Sequence, residues 1–500
     1  MRDTASSSSE GLAELTELAP GSGLSVRLAA NTLVQLAGSV VASVISFATF
    51  VAATRGLGPE AFGEFTAATA YLVIPTVVAD IGLSTGVLRE ISARPERTEP
   101  AMRRAVPLMA LIGIAAVVAA VFAGLLLPFT HQTKVSIVIA STGAFFTVMT
   151  FALQPVLQAQ LKMHWAVAAT VTGRVTTFGL TLAALSTGFE FEGVVAAHSI
   201  GIGVTAALHL LAVALIVPLR PVFDVAYWRR LMAGSFALGL AIAISLIYFR
   251  VDATLLALIR PPEEVGLYGA AYKFIELAGL VVAATAASVF PPLTRFVASG
   301  DARRAGGLVQ KAFDALLAAG APLAILMVAF SEEIVVWTSG PEFREGGVAL
   351  AILAPYVLVF FANGILWRVL ISTDRDRELL ATAVAVLVLN VVLNLIFLPE
   401  YGFKAAAVIA VVSEAAVAVP IVLLVRADGL LPHLRYLGVL AAASLAMIAA
   451  IAFLPGPALF RAAVSTAVYV VVVLVLPGTA REVVVGELVP ATLRVLRSRP

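Results

Sequence analysis

Several ionisable residues stand inside segments that are otherwise apolar, among them Arg174, Arg250, Asp252, Lys273, Glu276 and Glu414. In hydrocarbon such groups are costly, so each must face a wet cavity or a partner. Arg250 and Asp252 lie two apart on one helix and do not face each other. Asp252 shares an arc with Ser245 and Tyr248, whereas Arg250 points to nearly the opposite side. One is expected to line a cavity and the other to meet a neighbouring helix. Lys273 and Glu276 sit at pairing distance on a face that also carries Tyr268 and Tyr272. Arg174 has no acid close in sequence; a structural partner would be Asp80 or Glu414. His198, Thr205 and His209 align within roughly 40° of helical arc. With Asp80 and Glu414 the two histidines are candidates for carrying protons, the plain alternative being hydrogen-bonded histidines. Arg368, Lys162, Lys311 and Asp314 lie near segment ends, where snorkelling accounts for them. A polar stripe of Asn31, Gln35, Ser39, Ser43, Ser46 and Thr49 covers an arc of roughly 120°. It is either a cavity wall or hydrogen-bonding glue between helices.

The elements that must hold these residues are membrane spans. Of 500 residues 60% are hydrophobic and 13% charged, with a mean hydropathy of +1.00. A soluble chain carries about 25% charged residues, so most of this surface faces lipid. Apolar runs such as Ala105 to Pro128 and Leu379 to Leu398 have the roughly 20 residues a helical crossing needs. The expectation is an all-α polytopic membrane protein with about fourteen transmembrane helices. They are placed near 26–53, 63–88, 104–128, 134–159, 165–187, 193–217, 231–258, 265–290, 308–330, 346–371, 379–398, 403–426, 435–454 and 459–477. No connector exceeds roughly 20 residues, which leaves no room for a soluble domain.

Positive charge alternates along the connectors. Those after even-numbered spans hold about 17 Lys and Arg, those after odd-numbered spans about 6. Lys and Arg are retained in the cytoplasm, so both termini are expected inside, with Trp228 and Trp337 as interface anchors. Residues 1–24 read as a Ser-rich acidic cytoplasmic tail rather than a cleaved signal peptide. Residues 478–500 read as a basic tail, lying on the anionic inner leaflet or simply solvated.

Two stretches about 203 residues apart match without gaps: Pro59-Glu-Ala-Phe-Gly-Glu-Phe-Thr-Ala-Ala68 and Pro262-Glu-Glu-Val-Gly-Leu-Tyr-Gly-Ala-Ala271. They fall between spans 1 and 2 and between spans 7 and 8. An offset of six spans gives two halves of one orientation, related by an axis along the membrane normal. Parallel repeats of this kind build transporters with a central site between lobes. The expected organisation is an N-terminal lobe over 25–217, a C-terminal lobe over 218–426, and two further helices over 427–477.

At these residues the chain resembles the polysaccharide-flippase branch of the multidrug/oligosaccharidyl-lipid/polysaccharide exporter superfamily. The first-lobe signature reads RGLGPEAFGEF (Arg55 to Phe65), followed by ADIGL around Asp80 and LRE at Leu88 to Glu90. The second reads FRVDATLLA (Phe249 to Ala257), EVGLYGAAYKFIE (Glu264 to Glu276) and FPPL (Phe290 to Leu293). A third stretch, Leu389 to Glu414, is similar to the family's helix 11–12 hairpin. The resemblance implies flipping or export of a polyprenyl-pyrophosphate-linked oligosaccharide by alternating access of two six-helix lobes. Its implied partners are that lipid-linked substrate, the bilayer, and the polymerase and glycosyltransferases of polysaccharide assembly. A pyrophosphate needs compensating cations, and an arginine fork grips its oxygens bidentately. The substrate-binding candidates are Arg55, Arg174, Arg250, Asp252, Lys273, Glu276, Asn31 and Gln35. Asp252 and Glu276 would hold the cations or take up protons as substrate leaves.

Other classes fit less well. No loop is large enough for a polyprenyl-dependent glycosyltransferase, there is no phosphate-binding loop for ATP hydrolysis, and no cysteine exists for thiol or thiolate-metal chemistry. No cofactor, metal or nucleic-acid motif stands in the chain. The rival readings are a drug/cation antiporter of the same superfamily, a lipid II flippase, and a non-transporting scaffold of a polysaccharide assembly complex.

Overall fold

The computed structural model describes residues 23–434 and 436–476; the two expected tails, over 1–24 and 478–500, lie outside the described residues except at Gly23 and Leu24. Fourteen α-helices and two short 3-10 turns make up the described chain, which has no strand. They are α1 (Gly23–Asp80), α2 (Leu83–Ala93), α3 (Thr98–Leu126), α4 (His131–Ala159), α5 (Met163–Thr187), α6 (Glu190–Ala214) and α7 (Val225–Ile259). Then follow α8 (Pro262–Ala298), α9 (Ala302–Ala329), α10 (Ser331–Ser339), α11 (Gly346–Ser372), α12 (Asp376–Ala427), α13 (Leu437–Phe453) and α14 (Ala458–Val475). Among the described residues nine helical stretches are long and apolar enough to cross a membrane. Two of these, Val34–Ala93 and Asp376–Ala427, run to 60 and 52 residues, each long enough for two crossings at 1.5 Å per residue. The protein is a multi-pass, all-α membrane protein.

Spans and observed helices differ where glycine replaces a loop. Spans 1 and 2 join through α1, which breaks only at Gly58 (φ 73°, ψ 174°), and spans 11 and 12 join through α12, which breaks at Gly402 (φ 56°, ψ −140°). Both values lie in the left-handed half of backbone space that glycine tolerates, so one residue redirects the chain. Pro59 then opens the second arm of α1 with its φ already set for a helix. A second bend at Ile81 and Gly82 (φ 30° and 77°) separates α2 from α1. The connector expected before span 10 instead holds the short helix α10.

The chain forms two compact units. The first comprises Met1–Phe50, Leu72–Leu126 and Val135–Ala243. Its core brings together Leu83, Val87 and Ile91 of α2, Met102 and Met109 of α3, Leu153 and Leu157 of α4, Val213 of α6 and Leu231 of α7, all buried. Polar ties close one end: Tyr227 donates to Glu90 at 2.8 Å, Arg104 meets Asp224 at 3.2 Å, and the Trp228 indole donates to the Arg104 carbonyl at 2.8 Å. Helices α5 and α6 pack through a reciprocal pair of small residues. A Cβ on Gly173 would lie 1.9 Å from Thr205 Oγ1, and a Cβ on Gly201 would lie 1.9 Å from Thr177 Oγ1. Each threonine hydroxyl donates back to the glycine carbonyl four residues earlier, at 3.0 Å. Lipid supplies no hydrophobic drive for helix association, so close backbone approach of this kind supplies the van der Waals gain.

The second unit comprises Val51–Tyr71, Leu127–Lys134 and Ile244–Pro500. Here the two copies of the sequence repeat pack on each other. A Cβ on Gly63 would lie 1.7 Å from the Pro262 carbonyl oxygen, and a Cβ on Gly266 would lie 2.0 Å from the Pro59 carbonyl oxygen. Gly63 aligns with Gly266 and Pro59 with Pro262, so the contact is self-complementary: residue i meets j and j meets i. Helices α13 and α14 attach through Met447, Tyr469 and Val473 packed on Phe330, with the Tyr469 hydroxyl donating to the Ala318 carbonyl at 3.0 Å.

Candidate functional site

The charged residues of the second unit fall into two groups. Arg250 on α7 reaches α8, where its Nη2 lies 2.5 Å from Glu276 Oε1; Lys273 Nζ lies 2.8 Å from Glu276 Oε2. One carboxylate thus holds two cations, and the cluster keeps one positive charge. The three side chains stay 36%, 27% and 22% exposed for Arg250, Glu276 and Lys273. The Lys273–Glu276 pair follows from its helical spacing of three. The Arg250–Glu276 bond joins two helices and has no counterpart in any sequence spacing.

Asp252 turns the other way. Asn394 Nδ2 donates to its Oδ1 at 2.8 Å, and the Tyr268 hydroxyl donates to Oδ2 at 3.4 Å. Glu276 therefore holds both cations, while Asp252 belongs to a buried polar network. Asn394 also donates to Asn390 Oδ1 at 2.9 Å, and Asn390 donates to Ser413 Oγ at 3.1 Å. Asp252 is 5% and Tyr268 2% exposed, and Asn390, Asn394 and Ser413 are fully buried. Asn394 Oδ1 has no donor among the described residues, an orphan acceptor in a region where each unmade bond is costly. The network sets two donors, the Asn394 amide and the Tyr268 hydroxyl, on one buried carboxylate, an arrangement in which the carboxyl is the one group able to take up a proton. Among the described residues no three His, Cys, Asp or Glu side chains converge as a metal site.

Glu414 on α12 is held separately, by Asn363 Nδ2 at 2.7 Å and the Tyr248 hydroxyl at 3.4 Å. It borders a cavity of about 310 Å³ whose walls include Phe249, Phe360, Trp367 and Arg368. Asn363, Asn390, Asn394 and Ser413 were not legible as site residues. Their one signal was the spacing of four between Asn390 and Asn394, which puts both on one face of α12.

The remaining candidates sit elsewhere. Arg55 caps α10: its Nε donates to the Thr338 carbonyl at 3.3 Å and its Nη2 to the Trp337 carbonyl. A guanidinium there complements the negative end of the helix. In the same RGLGPEAFGEF stretch Glu64, 2% exposed, accepts bonds from Thr130 and Thr133 at the start of α4. In the first unit Asp80 accepts from the Ser84 amide at 3.0 Å and its hydroxyl at 2.9 Å, tying the Ile81–Gly82 bend. His209 is 2% exposed and donates from Nδ1 to the Thr205 carbonyl at 2.9 Å. Arg174 and His198 are half-buried on α5 and α6. Asn31 accepts from the Met163 amide at 3.3 Å, while Gln35 is exposed.

A lipid II flippase, MurJ, in an inward closed conformation shares the fold with a TM-score of 0.75 at 15% identity, over 90% of this chain and 98% of that one. An inward-facing multidrug resistance MATE family transporter of the MOP superfamily follows with a TM-score of 0.63 at 13% identity, over 78% and 95%. Over 370 residues the chain is 22% identical to a probable low-salt glycan biosynthesis flippase, Agl15 of Haloferax volcanii, covering 72% of this chain and 75% of the relative. A MatE model matches residues 237–396, and the chain is a membrane transporter of the flippase and MATE superfamily. The polysaccharide biosynthesis protein model matches residues 28–297, more than half of the chain, and the chain belongs to that family, within the flippase branch of the superfamily.

Proposed function

We propose that this transporter flips a polyprenyl-pyrophosphate-linked oligosaccharide across the cytoplasmic membrane, by alternating access of its two lobes, for cell-surface polysaccharide biosynthesis. The observation that carries this reading is the Arg250–Glu276–Lys273 cluster, with two partly exposed cations on one carboxylate. A residual positive charge attracts a pyrophosphate and opposes the cationic cargo of a drug antiporter. Arg250 and Lys273 would take phosphate oxygens, and Glu276 would keep their side chains in place. Arg174 would supply a further guanidinium, and Asn31 and Gln35 hydrogen bonds to the glycan. Arg55, engaged with carbonyls in this conformation, would reach substrate only after α10 moves. Coupling is assigned to Asp252 with its asparagine network and to Glu414, with Asp80, His198 and His209 as further proton carriers. Both termini lie in the cytoplasm, and polymerase and glycosyltransferases act beside the transporter.

The test measures export and membrane abundance together. Lys273→Ala and Arg174→Ala should abolish export at near-normal abundance, and Arg174→Lys should restore part of it, because an ammonium replaces the charge but not the fork. Full export in both alanine variants would overturn the assignment.

A further inference from the structure

One cavity of the second unit has in its lining a cation that the Arg250–Lys273–Glu276 cluster does not use. Its walls are apolar or aromatic: Phe249 from α7, Val282 from α8, Phe360 and Trp367 from α11, Val386 and Val417 from α12. Two ionisable side chains also line it, Arg368 of α11 and Glu414 of α12. Glu414 is engaged by Asn363 and Tyr248. Arg368 is half-buried and has no hydrogen-bond or ion-pair partner among the described residues.

Snorkelling would carry such a cation past the helix end into water. Arg368 instead lines the cavity, about one turn before α11 ends at Ser372. A guanidinium offers five donors in a planar fork, and half-buried beside an apolar space it has fewer partners than those donors can take. The complement is an anion with two oxygens to present, on a body that fills the apolar part. About 310 Å³ is at the small end of ligand pockets, enough for a headgroup and the first carbons of a chain.

We propose that Arg368 is the phosphate-binding residue of a lipid site in this cavity, which takes a phosphate or pyrophosphate carried on a long apolar chain. A membrane phospholipid and a polyprenyl carrier share this chemistry. The site does not depend on the proposed transport activity: it would bind its lipid whether or not that lipid is cargo.

The test is binding to the full-length purified protein in detergent. Trp367, one of four tryptophans, lines the cavity and gives a fluorescence signal, which Trp367→Phe should remove. A polyprenyl phosphate should bind at least tenfold more tightly than the neutral polyprenol. Arg368→Gln should remove that difference, and Arg368→Lys should keep part of it. Val386→Phe, which fills the cavity from the α12 wall and leaves Arg368 in place, should weaken binding as well, so the result does not hang on one variant. Competition by phosphatidic acid at similar concentration would mark a general lipid-phosphate site, and its failure to compete a polyprenyl-specific one. Inorganic phosphate should not compete. Equal binding of phosphate and polyprenol, wild-type binding by Arg368→Gln, or competition by inorganic phosphate would each overturn the site. Loss of flipping with this binding intact would count against the transport reading alone.

Discussion

Adding one methyl group at Gly63 should separate the two copies of the repeat. The new Cβ would lie 1.7 Å from the Pro262 carbonyl oxygen, 2.6 Å from its carbon and 2.9 Å from the Gly266 nitrogen. Non-bonded heavy atoms rest at about 3.5 Å or more, so the backbones must part by well over 1 Å, and none of the three atoms is a side chain that can rotate away. Overpacking of this kind costs about 1–3 kcal/mol. If the contact exists in one conformation of the transport cycle and not the other, that cost shifts the equilibrium between them by about 5- to 150-fold. The chain has no cysteine, so a single cysteine at Ala67, 2% exposed in this region, reports on opening through a hydrophilic maleimide. Labelling should be slow in the parent and rise in Gly63→Ala. Gly266→Ala should do the same, because its Cβ would lie 2.0 Å from the Pro59 carbonyl. The double variant should add less than the sum, since both changes open one shared contact. Unchanged labelling in both single variants, or strictly additive effects, would refute the reciprocal packing.

Three further outcomes follow from particular contacts. Gly173→Ala should lower membrane abundance by pushing α5 off α6, and Thr205→Ala should rescue it only in part, because the new methyl would lie 1.9 Å from the Thr205 hydroxyl but also 2.6 Å from the Gly201 carbonyl oxygen; normal abundance of Gly173→Ala on quantitative blots would contradict the packing. At the end of α12 the Arg375 guanidinium bonds both oxygens of Asp428 and holds its carboxyl below the ordinary value of 3.8. A depressed value means stability that is present in full above about pH 4 and lost as pH falls through the lowered value. Melting curves of Asp428→Asn should lack that acid-side loss, and an unchanged pH dependence would count against the clamp. Reporter fusions after Arg97, Arg230 and Asp301 should read cytoplasmic and those after Glu190 and Glu342 external; one reversed pair would break the assigned topology.

Fourteen spans could be read from the sequence because apolar length is a local property. The turns at Gly58 and Gly402 could not, since a connector of a few residues looks like a loop until its backbone angles are known. The repeat was visible as letters, and its reciprocal contact explains why glycine must stand at Gly63 and Gly266. Helical arcs separated Arg250 from Asp252 and paired Lys273 with Glu276. They could not bring Arg250 to Glu276, because that bond depends on how α7 meets α8. The asparagine network around Asp252 was hidden for another reason. Asn390 and Asn394 are neutral side chains in an apolar helix, and only the buried carboxylate beside them gives them a role. Arg368 read as a snorkelling side chain until the cavity around it was defined.

If the cluster around Glu276 receives a lipid-linked pyrophosphate, flipping in proteoliposomes should depend on its two cations. Purified protein is reconstituted with a fluorescent polyprenyl-pyrophosphate oligosaccharide, and the fraction left accessible to an external enzyme is followed over time. The wild type should flip this lipid, Arg250→Ala and Lys273→Ala should lose flipping at equal reconstitution, and a neutral polyprenyl glycoside should not be flipped. Wild-type rates in both variants, or equal rates for the neutral lipid, would contradict that role of the cluster.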